Sequence, residues 1–330
     1  MQCTYSSNGH EIDTAKKAHA ILFHPRLMKK TRREFRGLPP YRDHQQKWIF
    51  YESEVPTNVW GNIGGSVDKT YEFWTMFNLT ATITSDSDIP LHHFHMKCQP
   101  KADFRPRGEN YASGKSKMAA WFVSHCVTSS QREVYVNELK NYIDVDIFGE
   151  CGNNTTCNRK QSHIFNHKVC MYDLIDRDYW FYLSFENAFC DEYVTEKFHS
   201  VVRKANVIPV VLGAADYANI LPKGSYIDVR DFGSVKELAD FLIQLTKDPE
   251  RYNSYIEKTQ AHDCRFPRLS FECNLCEYLH NHRRETHVIY DAQSFWSVEQ
   301  RCVSPKEFYG KFAPEIVPKI KFVKDPDIFL

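Results

Sequence analysis

Short apolar runs rich in β-branched and aromatic residues alternate with polar turns and with stretches of helical spacing along most of this chain. In the second half, Ala119–Ser124, Ile143–Phe148, Phe181–Phe185, Val207–Leu212 and Tyr226–Val229 predict strands. Between the first two, Glu133–Lys140 predicts a helix. Ser234 followed by Glu237 forms a capping box, and Val235, Leu238, Ala239, Leu242 and Leu245 then recur on one helical face. Strands alternating with helices imply a doubly wound parallel sheet. In the first half, AHAILFH (18–24), WIFYE (48–52) and FNLTATI (77–83) read as strands, joined by basic, proline-bearing connections such as Lys29–Tyr41. Lys97–Lys117 carries Pro, Gly, Ser and charge without periodicity and reads as a linker. The expected organisation is two α/β domains, 1–117 and 118–265, with a tail, 266–330, packing back on the first.

A chain of 330 residues can bury two full cores. Lys plus Arg equals Asp plus Glu, at 42 each, so no nucleic-acid partner or membrane surface is indicated, and an anionic ligand needs a local cluster of cations. No segment reads as a signal peptide or a membrane span. The 11 cysteines fit an oxidising compartment, as do the sequons at Asn78, Asn153 and Asn154. Together these predict a luminal portion whose leader is absent from this chain, with any membrane attachment made through that leader.

The stretch FYLSFENAFCDEYVTEKFHSVVRKANVIPVVL (181–212) carries the most chemistry. A strand enters a polar turn holding Glu186, Asn187 and Asp191, a helix opens near Tyr193, and a second strand follows. In open α/β sheets nucleotides bind at the carboxyl ends of strands, against the positive end of the next helix. Lys197, in the first turn, can reach a diphosphate there. Singly, Lys197 or Arg132 reads as a solvated surface charge and Glu196 as a helix-face carboxylate; the string FEN-x5-EYVTEK is far rarer than its parts.

That string resembles the donor-binding motif of the α1,3-fucosyltransferases, which use GDP-fucose. The resemblance extends over WIFYES, FNLTATITSDSDIP and CNLCEYLH, from about Asp13 to His280, and the CGNNTTC insertion is most similar to invertebrate members. It implies a GT-B fold, two Rossmann-like doubly wound domains facing a cleft, with an acceptor-side first domain and a GDP-fucose-binding second. It implies an inverting transfer of L-fucose to the 3-hydroxyl of N-acetylglucosamine on glycoprotein glycans, in the Golgi lumen. It assigns Lys197 and Arg132 to the diphosphate and places Glu186, Asn187, Tyr193, Val194, Thr195 and Glu196 around fucose and nucleotide. The chain departs from the family at Ser124-His125, where Ser-Asn is usual. A catalytically inactive glycan-binding relative and a GT-B transferase for another nucleotide sugar are the alternatives.

Inverting transfer needs one base for the acceptor hydroxyl, because the diphosphate leaves without a proton. Glu52, ending the strand KWIFYE, is the candidate; Glu54 rivals it on spacing, and the resemblance favours Glu52. Asp86-Ser87-Asp88 has the spacing of a metal-chelating pair, but the resemblance makes it a first-domain motif of structural or acceptor-side role. No obligatory cofactor or metal site is expected, which leaves room for stimulation by a divalent cation. His92, His93, His95 and Cys98 cluster without reading as a zinc site. Cys273-x-x-Cys276, near His280 and His282, is implied by the resemblance to form disulfides with cysteines near the N-terminus, where only Cys3 is available. Cys126, Cys151, Cys157, Cys170 and Cys190 form a second group whose pairing is open, and an odd total leaves one thiol over.

Overall fold

The computed structural model describes residues 2–7, 12–27, 30–31, 34–35, 39, 41–62, 72–91, 94–153, 156–157, 167–285, 289 and 291–321. The chain forms two compact units. One is built from residues up to His95 and from Pro267–Cys302, the other from Met96–Phe266 and Val303–Phe322. Segments 96–117 and 303–321 thus lie in the second unit, where the sequence pattern placed neither.

In the first unit, helix α1 (Ile12–Lys17) leads into β1 (Ala20–Phe23); β2 (Lys30–Thr31) and β3 (Glu34–Phe35) make a short antiparallel ladder. β4 (Lys47–Glu52) pairs in parallel with β1 on one side and with β5 (Leu79–Thr82) on the other, followed after β4 by α2 (Pro56–Asn62). Alternate β4 residues point to opposite faces. Trp48 and Phe50 pack with Phe23, Phe77 and Trp74, while Ile49 joins Leu79, Ala81 and Ile89 against Leu275 of the helix Phe271–Asn281. That helix packs on the first sheet through Leu275.

The second unit holds β6 (Lys97–Pro100), β7 (Lys117–Phe122), β8 (Val145–Phe148), β9 (Tyr179–Phe185), β10 (Ile208–Leu212), β11 (Ile227–Asp228) and β12 (His262–Arg265). Five of these form a parallel sheet in the order β11-β10-β9-β7-β8. Helices cover both faces. Trp121, Leu183, Phe185 and Val210 meet α3 (Arg132–Leu139) and α6 (Val235–Leu245), while Ala120, Tyr182 and Val207 meet α4 (His167–Asp178) and α5 (Glu196–Lys204). The five residues predicted to line the buried face of α6 are all 0–1% exposed. Ser234 Oγ accepts from Glu237 N, but the Glu237 carboxylate reaches Gly233 N rather than closing the box on Ser234. α7 (Pro249–Gln260) leads to β12. The supposed linker supplies β6, which pairs antiparallel with β12 and is clamped to it by Cys98–Cys264. An edge pair of exposed and half-buried residues has no apolar alternation to betray it.

The strand order fixes where a ligand belongs. β7 leads outward through α3 to β8, and the chain then returns from β8 through α4, past β7, to β9 and runs on to β10 and β11, so the connections diverge between β7 and β9. Ligands in such sheets sit outside the carboxyl ends of the strands at this switch point.

Candidate active site

In the first unit, the carboxyl end of β4 carries Glu52, fully buried. Its Oε1 accepts from the backbone N–H of Ser53 at 3.0 Å and of Glu54 at 3.1 Å, and meets His24 Nε2 at 3.0 Å. An ionised carboxylate only accepts, so Nε2 is the donor in that bond. Arg26 Nε stands 3.7 Å from the same oxygen. Oε2 has no hydrogen-bond partner among the described residues. Glu54 contrasts with this. Its Oε1 faces Arg26 Nη1 at 3.7 Å, and its Oε2 accepts from Asn58 Nδ2 at 2.9 Å. Of the two rivals, only Glu52 combines complete burial with a carboxylate oxygen left over.

In the second unit, the switch point holds Glu186, Thr195 and Lys197. Glu186 continues β9 by donating its N–H to Leu212 O, and it is fully buried. Its carboxylate accepts from Thr195 N at 2.8 Å and from Thr195 Oγ1 at 2.9 Å, and it ion-pairs with Lys197 Nζ at 3.3 Å. Lys197 Nζ also donates to Thr195 Oγ1 at 2.7 Å. Thr195 is the N-cap of α5, yet its hydroxyl makes no capping bond, because Glu186 has claimed it. The sequence had opened this helix at Tyr193. It starts at Glu196, because Glu192 takes a left-handed φ of 53° and Tyr193 and Val194 are buried in the turn.

Lys197 is in the first turn, as expected, with a partly open side chain. Glu196 projects to solvent, and despite the opposing effect of desolvation, the Lys197 charge and its hydrogen bonds hold its carboxyl below the usual range. Arg132 is not a surface charge. It opens α3, is 2% exposed, donates to Phe185 O and to His125 O, and lies over the Trp121 ring at 5.6 Å. Burial pulls its guanidinium down from its ordinary value, opposed by the charge of Glu186. Ser130 ties the α3 entry to the turn after β9, through Oγ to Glu186 O and N to Asn187 O, while the Asn187 Oδ1 is buried without a partner among the described residues. Gln131, with φ of 49°, and Glu192 are left-handed non-glycine residues flanking this site. Such strain costs about 1–3 kcal/mol each and gathers where a site needs it. A cavity of about 640 Å³ lies instead at the amino end of β10, lined by Arg203, Lys204, Asn206 and Arg265 and by none of the expected donor residues.

Two family models cover the chain: "Fucosyltransferase, N-terminal" matches residues 1–94, and "Glycosyltransferase family 10 (fucosyltransferase) C-term" matches residues 112–296. The chain belongs to glycosyltransferase family 10. It is 35% identical to Alpha-(1,3)-fucosyltransferase C of Drosophila melanogaster over 89% of this chain and 69% of that one. With Glycoprotein 3-alpha-L-fucosyltransferase A of the same organism it shares 38% over 69% of this chain and 44% of the relative's length. With mouse 4-galactosyl-N-acetylglucosaminide 3-alpha-L-fucosyltransferase 9 it shares 30% over 85% and 72%. A crystal structure titled as an α1,3-fucosyltransferase with GDP-fucose aligns over 76% of this chain and 78% of that one, at 16% identity and a TM-score of 0.48. By the family models and these relatives, this family 10 chain is an enzyme of the fucosyltransferase class, and it is α/β with a parallel sheet in each unit.

Other expected residues of this family 10 chain fall as follows. The Asp86-Ser87-Asp88 carboxylates are committed. Asp86 pairs with Arg301 at 2.8 Å and accepts from Thr84, and Asp88 accepts from Thr80 N, Thr80 Oγ1 and Tyr278 OH. The motif braces the end of β5. Cys3 pairs with Cys276 and Cys273 is free and exposed. The disulfide takes the thiols of the only metal-like group found among the described residues, Cys3, Cys276 and His280. Cys126 joins Cys151 and Cys157 joins Cys170, while Cys190 and Cys302 are also disulfide-bonded. The sequence reading passed over Cys98, Cys264 and Cys302 as half-cystines. Their number in an oxidising context was the available signal, and Cys98 had been grouped with histidines, of which His92 and His93 lie outside the described residues. Asn78 is half-buried, its Oδ1 accepting from Trp48 N and Arg42, so its amide serves β4. Asn153 is exposed, and Asn154 lies outside the described residues. No helix among the described residues is long and apolar enough to cross a membrane.

Proposed function

We propose that this enzyme is an inverting α1,3-fucosyltransferase that moves L-fucose from GDP-β-L-fucose to the 3-hydroxyl of an N-acetylglucosamine on a glycoprotein glycan. The observation that carries it is the Lys197 ammonium, held by Glu186 and Thr195 at the amino end of α5, on the strand-end edge that open α/β sheets commonly use for anionic ligands. Membership of a fucosyltransferase family supports the sugar, and similarity to 3-alpha-L-fucosyltransferases supports the linkage.

In this reading the acceptor O3 gives its proton to Glu52 Oε2 and bonds to fucose C1. The C1–O bond to the diphosphate breaks, and GDP departs with the electron pair. Lys197 stabilises the charge that grows on the leaving oxygen, and Arg132 adds positive potential from behind β9. Glu186 aims Lys197 and fixes Thr195. Asn187, Tyr193, Val194 and Glu196 shape the surround for fucose and nucleotide. These cations supply the counter-charge a metal gives elsewhere, so a divalent cation stimulates at most. Ten disulfide-bonded cysteines favour a luminal, Golgi-type setting. The test is incubation of the purified protein with GDP-fucose, other nucleotide sugars and an N-glycan panel, with and without chelator. Fucose transfer that survives chelation is expected; turnover of another donor in preference to GDP-fucose would overturn the proposal.

A further inference from the structure

We infer that His24 is a positioning residue for the transfer, fixing the Glu52 carboxylate so that Oε2 alone receives the acceptor's proton. The inference rests on the reading of Glu52 as the base given above.

Three donors converge on one oxygen of this carboxylate and, among the described residues, none reaches the other. Two of the three are consecutive backbone amides, Ser53 and Glu54, and approach from the chain just after β4. They hold Oε1 from one side and leave the carboxylate plane free to rock about its last torsion, which is broad for a terminal sp³–sp² bond. His24 comes from elsewhere. It follows β1, whose Phe23 pairs with Phe50 in the β1–β4 register, and it reaches Oε1 from the neighbouring strand. A third donor from a second direction stops the rocking and occupies Oε1.

The imidazole is itself held. Its ring stands edge-on to Tyr51, with centroids 5.1 Å apart at 88°. The other charged groups around Oε1 do not duplicate its role. Arg26 stays at ion-pair range, with its Nε making no hydrogen bond among the described residues, and Glu54 is engaged with Arg26 and Asn58. A buried carboxylate oxygen without a partner is costly to keep. Here Oε1 collects every donor and Oε2 is left bare, which suits an oxygen whose partner is an incoming hydroxyl.

The test compares kcat, the KM for GDP-fucose, and the melting temperature of His24→Ala, His24→Gln and Glu52→Gln. We expect His24→Ala to lower kcat roughly 10-fold or more, short of the 10²–10⁴ that a general base contributes, with KM for GDP-fucose unchanged. Gln can place an amide N–H near the Nε2 position, so His24→Gln should recover most of the loss, and added imidazole should partly rescue His24→Ala. Full kcat in His24→Ala, or a His24→Gln variant that melts normally and is as impaired as His24→Ala, would overturn the inference while Glu52→Gln stays inactive. Turnover retained by Glu52→Gln would instead remove the base assignment, and this inference with it.

Discussion

Lys197 Nζ lies 3.3 Å from Glu186 Oε2, and the two side chains share the Thr195 hydroxyl between them. Glu186 is fully buried at a strand end, whereas Lys197 keeps about a fifth of its side chain open. The carboxylate therefore works as an anchor, and the ammonium is the part that can meet a ligand. Glu186 also takes the Thr195 amide and hydroxyl, so the same group sets both the start of α5 and the aim of its cation.

Replacing Lys197 by Ala should weaken GDP binding about tenfold or more, since a hydrogen bond to a charged group contributes roughly 1.5–3 kcal/mol. The variant also strands a buried carboxylate, so its melting temperature should fall. Lys197→Arg keeps the charge and separates the two effects: it should melt near the parent while losing part of the affinity. Calorimetric titration with GDP is the measurement, and undiminished affinity in Lys197→Ala would move the diphosphate elsewhere.

Glu52→Gln should lower kcat by about 10²–10⁴, with GDP binding retained. Glu54→Gln is the control, because both oxygens of Glu54 are already engaged. It should keep more than half of the parent turnover. Equal losses in the two variants would mean that the strand end, and not the Glu52 carboxylate, is what matters.

Lys115 gives the stability–pH curve a definite sign. It is buried, donating to Asp176 O, and burial pulls its ammonium down to about 8 against the opposing charges of Asp176 and Asp178. Between that value and the ordinary 10.5, the unfolded chain holds a proton that the folded chain has shed. Stability from this group therefore rises with pH across that window, by about 1.4 kcal/mol per unit, and is lost again as pH falls to about 8. Denaturant titrations from pH 7.5 to 10.5 should show this component in the parent and not in Lys115→Met. Parallel curves for the two proteins would refute it.

What the sequence made legible, and what it did not, follows from how each feature is stabilised. The five-stranded sheet was readable because its central strands β7, β9 and β10 carry runs buried on both faces between polar turns. The buried face of α6 was readable because a one-sided helix repeats at fixed spacing. β6 and β12 were not, since His262–Arg265 and Lys97–Pro100 are held by each other and by Cys98–Cys264, with no hydrophobic pattern to show it. At the site, spacing found Lys197 and Glu186 but could not say that the second orients the first. Spacing gave Glu52 and Glu54 equal standing, and in the fold burial and the partners of their oxygens distinguish them. His24 carries no local signal at all, because its role arises from a register between two strands distant in sequence.

The Cys98–Cys264 bridge should be worth more than the exposed ladder it closes. It joins positions 166 residues apart, and it pairs directly opposed residues of β6 and β12. Half-cystines at such long separation constrain the unfolded chain strongly, and removal of a native bridge typically costs about 2–5 kcal/mol. β6 and β12 have few buried residues of their own, so little else holds the 97–100 segment in place once the bridge is cut. The double replacement Cys98→Ser, Cys264→Ser should lower the melting temperature by several degrees, roughly 2–4 °C per kcal/mol for a unit of this size. Hydrogen exchange should quicken at Lys97–Pro100 and His262–Arg265 well before it does in β9 or β10. The affinity for GDP should stay near the parent's, since Lys197, Glu186 and Thr195 lie on other strands and turns. A double variant that melts with the parent and keeps protection at residues 97–100 would show that the ladder stands without its disulfide.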